Sequence, residues 1–128
     1  MKIEHLAIYV KNLDNMRSFY CQYFGGVSNQ RYENPVTGLQ SYFLSFSDGA
    51  RVELMTRPGT MPAENYEYTL GLAHLAFDVG SREEVDSLTS RLENDGYTVS
   101  RCPRVTGEGY YESVILDPEG NRIEITGS

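Results

Sequence analysis

One phrase occurs twice in this chain, and any fold must house both copies. Asp48-Gly49-Ala50-Arg51-Val52-Glu53-Leu54 returns, 71 residues on, as Glu119-Gly120-Asn121-Arg122-Ile123-Glu124-Ile125. In each copy a glycine turn leads into an alternating run, the signature of a half-buried strand. Val52 and Leu54, or Ile123 and Ile125, then point to one face, and Glu53 or Glu124 to the other. A second phrase is doubled as well: His5-Leu6-Ala7 recurs 69 residues on as His74-Leu75-Ala76. These are the only two histidines in the chain.

The segments between the repeats follow one order. Residues 2–10 read as a strand with Ile3, His5, Ala7 and Tyr9 on one face. A helix follows over 14–24, capped by Asn12 or Asp14 through acceptance of free backbone N–H bonds. Met16, Phe19, Tyr20, Tyr23 and Phe24 recur at helical spacing, and Gly25-Gly26 ends the helix. Strands are predicted over 27–33, 39–46 and 51–57. In the second half a strand over 72–79 places Leu72, His74, Ala76 and Asp78 on one face. Ser81-Arg82-Glu83-Glu84 is a capping box for a helix running to residue 94, with Val85, Leu88 and Leu92 on its buried side. Gly96 closes it, and strands near 97–105, 110–116 and 122–126 complete the half.

The order strand, helix, strand, strand, strand is therefore present twice. The expected architecture is α+β, a single domain of two tandem βαβββ modules, 1–57 and 71–128, joined by a linker at 58–70 that carries Pro58, Gly59 and Pro62. One module alone would leave a sheet face open, so pairing the two completes the molecule. Leu6, Val52, Leu54, Leu75, Phe77, Ile123 and Ile125 should pack against the helices.

Composition narrows the function. The 128 residues carry a formal net charge of −7, which disfavours a nucleic-acid backbone as partner. Nine of the eleven basic residues are Arg, the cation suited to planar recognition of anions. Cys21 and Cys102 have no CxxC spacing and read as reduced thiols. No apolar run reaches membrane-spanning length and the N-terminus lacks a signal-peptide pattern, so the expectation is a cytoplasmic protein without a membrane partner.

His5, Glu53, His74 and Glu124 hold equivalent places on the first and last strands of each half. Taken singly, a strand histidine or glutamate is an ordinary surface group. Together, two imidazole nitrogens and two carboxylates suit a divalent first-row metal ion, and four protein ligands on an octahedral ion leave two positions for water or substrate.

The doubled pattern resembles the vicinal oxygen chelate superfamily, which includes glyoxalases, extradiol dioxygenases, an epimerase and bleomycin-resistance proteins. The resemblance spans the chain and rests most on Glu4-His5-Leu6-Ala7, Gly71-Leu72-Ala73-His74-Leu75-Ala76-Phe77 and Leu116-Asp117-Pro118-Glu119-Gly120-Asn121-Arg122-Ile123-Glu124. It implies a cup-shaped mixed sheet with helices packed outside and a metal on its floor. It also implies a homodimer, with the cup closed within one chain or shared across two. The set His5, Glu53, His74, Glu124 is most like the bacterial glyoxalase I (lactoylglutathione lyase) branch.

That branch implies a metal-dependent lyase or isomerase that moves a proton through a metal-bound enediolate. The substrate would be a small α-oxygenated carbonyl compound or its thiol adduct. Glu124 would be the proton-shuttling carboxylate and Glu53 its symmetry partner. The metal would be nickel, zinc, cobalt or manganese. Two substrate positions depart from the branch: Tyr9 stands where an Arg is usual, and Arg57 where an Asn is usual. Tyr9, Arg57, Arg101, Arg104 and Tyr110 are the candidate substrate-binding residues. The loop Thr106-Gly107-Glu108-Gly109-Tyr110 is either an ordinary turn or a flap; it lacks the Lys and helix of a phosphate loop. Alternative readings on the same scaffold are a ring-cleaving dioxygenase, an epimerase, or a non-enzymatic antibiotic-binding protein.

Overall fold

The computed structural model describes residues 1–64 and 67–128. The chain falls into two compact units, Met1–Ala63 and Glu64–Ser128. The expected linker at 58–70 includes residues 65 and 66, which lie outside the described residues.

The first unit contains β1 (His5–Tyr9), α1 (Leu13–Phe24), β2 (Val27–Ser28), β3 (Tyr32–Glu33), β4 (Gln40–Ser45) and β5 (Arg51–Thr56). Its sheet runs β1-β5-β4-β2, with β3 also paired to β4. The first strand lies parallel to the last, with Ala7 beside Glu53, and β4 is antiparallel to β5. Of the two candidate caps, Asn12 does the work: its side chain accepts from the Asn15 N–H at 3.0 Å. Gly25 ends the helix at φ 69°, a left-handed conformation that costs glycine little.

The second unit contains β6 (Leu75–Asp78), α2 (Arg82–Asn94), β7 (Val99–Val105), β8 (Tyr111–Leu116) and β9 (Arg122–Gly127). Its sheet runs β6-β9-β8-β7, again with the first strand parallel to the last and Ala76 beside Glu124. Ser81 caps α2, its Oγ accepting from the Glu84 N–H at 3.2 Å. The fold is thus α+β, with one mixed sheet and one helix in each unit among the described residues.

The cores form where the alternation places them. Leu13, Met16, Phe19, Tyr20 and Tyr23 of α1 are buried, with Leu44, Val52 and Leu54 from β4 and β5, which the helix packs against. In the second unit Val85 and Leu92 of α2 are buried, as are Ile115, Ile123 and Ile125 of the sheet it covers. Leu6, Leu75 and Phe77 keep partial exposure.

The strands differ from expectation at their ends. The first strand begins at His5 rather than residue 2, and its counterpart at Leu75 rather than residue 72. In both units the partner strand starts only after a glycine turn: His5 pairs with Arg51 and Leu75 with Ile123, so earlier residues run past the ladder. His74 therefore sits just before β6. The single strand expected over 27–33 is two short pieces. Between them the side chain of Asn29 takes a ladder position, its Oδ1 accepting from the Phe43 N–H at 2.8 Å.

Candidate functional site

The turn before β9 is built around a carboxylate. Asp117, 4% exposed, accepts at Oδ1 from the N–H groups of Glu119 and Asn121, each at 2.9 Å, and at Oδ2 from the Asn121 amide at 2.8 Å. Gly120 adopts φ 87° there and donates its N–H to the Asp117 carbonyl at 3.0 Å. With the turn fixed, β9 enters in the register that buries Ile123 and Ile125 and leaves Glu124 on the open face.

On that face His74 Nε2 lies 3.2 Å from Glu124 Oε2. The imidazole is about two-fifths exposed and the carboxylate much less so, at 41% and 19%. Burial is the main cause that pushes the Glu124 carboxyl above the usual carboxylate range; His74 opposes the shift, and the nearby Glu112 adds to it through charge and a shared hydrogen bond. A pocket of about 550 Å³ opens around the pair. Arg104, Thr106, Tyr110 and Glu112 are among its lining residues.

The first unit carries the same arrangement in looser form. His5 Nε2 stands 3.9 Å from Glu53 Oε1, with the imidazole again 41% exposed. His5 Nδ1 is hydrogen-bonded to Glu4 Oε2 at 2.8 Å, and Glu4 Oε1 in turn accepts from the Arg51 guanidinium. The Phe43 and His5 rings stand T-shaped, 5.3 Å between centroids.

Each unit by itself brings one imidazole and one carboxylate together, His5 with Glu53 and His74 with Glu124. Among the described residues no group of three or more His, Cys, Asp or Glu side chains is clustered as a metal-holding set. The pairs nonetheless fit a divalent cation: partly exposed imidazoles present Nε2 beside a carboxylate oxygen, the mixed nitrogen and oxygen donors such ions take.

The candidate substrate residues are placed differently from one another. Arg104 and Tyr110 line the pocket of the second unit. Arg101, on the same strand as Arg104, is instead engaged by Glu67, with Tyr68 Oη at 3.5 Å, and is not among the lining residues. Tyr9 and Arg57 are exposed in the first unit. The loop at 106–110 closes as a turn, with the Thr106 N–H donating to the Tyr110 carbonyl at 2.8 Å.

Glu112 is a residue of this face that sequence reasoning did not single out. It pairs with Thr126 across the ladder, and Val114 pairs with Glu124, so Glu112 shares the face of Glu124. Its Oε1 lies 3.7 Å from Arg104 Nη2. The alternation through residues 111–116 held that signal, but it needed the strand register to be read. Cys21 and Cys102 are free cysteines, and among the described residues no helix is long and apolar enough to cross a membrane.

Comparison with known proteins finds relatives that match nearly the whole chain. The family profile described as "Glyoxalase/Bleomycin resistance protein/Dioxygenase superfamily" matches residues 2–125. A probable lactoylglutathione lyase of Synechocystis is 27% identical, with 98% of this chain and 94% of that protein covered. The uncharacterized Bacillus subtilis protein YqjT is 25% identical, with 96% of each covered. Among solved structures, a glyoxalase family protein from Enterococcus faecalis superposes with a TM-score of 0.79 at 25% identity, covering 98% of this chain and 96% of that one. A glyoxalase family protein from Bacillus cereus gives 0.84 at 22% identity, covering 99% and 93%. Glyoxalase I from Zea mays gives 0.77 at 22% identity; 98% of this chain is covered but only 44% of the maize chain.

Proposed function

The chain belongs to the glyoxalase/bleomycin resistance protein/dioxygenase superfamily, and from that premise we propose that it is a metal-dependent lyase or isomerase of the glyoxalase type. Its substrate on this reading is a small α-oxygenated carbonyl compound or its thiol adduct. The observation that carries the reading is the recurrence, in each unit, of one imidazole beside one carboxylate at matching positions. The similarity to a probable lactoylglutathione lyase supports the choice of reaction.

His5, Glu53, His74 and Glu124 would hold one divalent ion, from the class of nickel, zinc, cobalt and manganese. When bound, the ion supplies charge stabilisation at two vicinal oxygens. The protein's own part is proton transfer. A 1,2-isomerisation removes a proton from one carbon and returns it to the next, so one carboxylate can serve as base and then as acid. Glu124 is assigned this role: its carboxylate lies beside the His74 imidazole and lines the pocket of the second unit. Glu53 is the counterpart in the first unit.

Arg104 and Tyr110 are assigned to the substrate side of the Glu124 face, with Tyr9, Arg57 and Arg101 as the other candidates. Because Tyr9 and Arg57 replace the usual Arg and Asn, the thiol carrier need not be glutathione. The active form on this reading is a cytoplasmic homodimer.

The test is direct. The protein is stripped of metal with a chelator, then titrated with nickel, cobalt, manganese and zinc while turnover of methylglyoxal hemithioacetals of several thiols is followed. Turnover with at least one metal, abolished in Glu124→Gln, is expected. No turnover with any metal and thiol combination rejects the lyase assignment.

A further inference from the structure

The two histidines occupy equivalent places, but their surroundings are not equivalent. Glu4 precedes His5, and its Oε2 lies 2.8 Å from His5 Nδ1. The other oxygen of Glu4 accepts from Arg51, and the Arg51 N–H bonds the Glu4 carbonyl at 2.9 Å. The Arg51 guanidinium in turn lies 4.2 Å over the Phe43 ring, and the Phe43 and His5 rings stand T-shaped to one another. Glu4 and Phe43 thus meet the His5 imidazole directly, and Arg51 holds both of them.

In the second unit this grip has no counterpart from the same positions. The residue before His74 is Ala73, whose side chain has no acceptor to offer. Arg122, which matches Arg51 in the repeated phrase, has its Nε buried with no hydrogen-bond partner among the described residues. The second unit has the arginine at the matching position but no carboxylate before its histidine.

A neutral imidazole carries one proton and one lone pair, and the hydrogen bond made by one ring nitrogen decides which nitrogen carries the proton. A carboxylate can only accept, so Glu4 requires the proton on Nδ1. The lone pair is then on Nε2, the nitrogen that faces Glu53 at 3.9 Å. We propose that Glu4, clamped by Arg51, is a positioning residue that holds His5 with its proton on Nδ1 and its lone pair on Nε2, so that His5 is pre-set as a metal donor while His74 is not. Its consequence for metal binding rests on the metal-site reading above; its consequence for the tautomer does not.

The chain has only two histidines, so both tautomers are readable at once. Long-range nitrogen–proton correlation spectra of the metal-free, nitrogen-15-labelled full chain at mildly alkaline pH are the first measurement. Wild type should show one ring, His5, in the Nδ1–H form. Glu4→Ala should return that ring toward the Nε2–H form that free histidine favours, with His74 unchanged. A His5 ring already in the Nε2–H form in wild type, or unaltered in Glu4→Ala, overturns the proposal.

Calorimetric titration with zinc and with nickel is the second measurement. Loss of such a supporting carboxylate weakens metal binding by roughly 10- to 100-fold in known sites, and a drop in that range is expected for Glu4→Ala. Arg51→Lys should fall between wild type and Glu4→Ala, because the clamp is weakened while the carboxylate stays. A wild type that binds and a Glu4→Ala variant that binds equally well overturn the role of Glu4 alone. A wild type that binds neither ion overturns the metal-site reading together with the donor role given to His5.

Discussion

His74 Nε2 stands 3.2 Å from Glu124 Oε2, and Glu124 also shares a hydrogen bond with Glu112. One neighbour favours the charged carboxylate and the other opposes it. Burial joins Glu112, and the net effect raises the Glu124 carboxyl above its ordinary value. A carboxyl raised in the folded state binds its proton more tightly folded than unfolded. The associated stability is therefore fully present below the unfolded value and is lost as pH rises through the folded one. Above that window the ionised Glu124 is a burden on the metal-free protein.

Glu124→Gln removes this burden, because the amide is neutral at every pH. In chelator-treated protein the urea midpoint of Glu124→Gln should exceed that of wild type at pH 7, and the two should converge toward pH 4. A constant offset between the two curves would show that the carboxylate carries no penalty.

Metal linkage supplies a second test. A ligand that binds only the folded state stabilises it by about 2.7 kcal/mol at a free concentration one hundred times its dissociation constant. Wild type should show a Tm that climbs with added nickel or zinc. On the proposed four-ligand reading, His5→Ala, His74→Ala, Glu53→Gln and Glu124→Gln should each lose most of that rise. If only the two substitutions of one unit matter, the ion is held by one pair and the four-ligand reading fails.

The end of β9 sets a steric limit. A Cβ added at Gly127 would lie 2.4 Å from the Ser81 carbonyl oxygen and 2.6 Å from its carbon, both main-chain atoms just ahead of α2. Neither atom can rotate away as a side-chain tip could. Gly127→Ala should therefore cost on the order of 1–3 kcal/mol, the usual range for overpacking, read as a lower urea midpoint with an unchanged slope. An equal midpoint would mean that the start of α2 yields freely.

Much of this was legible because the repeat repeats its physics. The alternation around Glu53 and Glu124 specified both which residues pack and which face the carboxylates take, and the sheet registers place Ala7 beside Glu53 and Ala76 beside Glu124. The glycine that closes α1 and the serine that caps α2 were readable for the same reason: each serves a backbone need that few residue types meet. Strand ends were not, because a ladder stops where its partner stops, and that depends on turns elsewhere in the chain. Asn29, Glu112 and Asp117 were missed as organisers for a related cause. Each acts through a partner set by register or turn geometry, which composition and periodicity do not carry.

A pair of hydroxyl groups is buried inside the second unit. Thr89 and Ser113 are 4% and 0% exposed, and their hydroxyl oxygens are 2.7 Å apart. Thr89 Oγ1 also donates to the Val85 carbonyl at 2.6 Å, which commits its only proton. Ser113 must then be the donor between the two hydroxyls. The two single substitutions are consequently unequal. Ser113→Ala leaves Thr89 its own acceptor and removes one bond, a loss of about 0.5–1.5 kcal/mol. Thr89→Val strands the buried Ser113 hydroxyl without an acceptor, which costs roughly 1–3 kcal/mol. In the double variant no hydroxyl is left stranded, so the combined loss should fall short of the two single losses added together. A double-mutant cycle on urea midpoints reads this as a coupling energy of about 0.5 kcal/mol or more. Strict additivity, or a larger loss for Ser113→Ala than for Thr89→Val, would reverse the assignment of donor and acceptor.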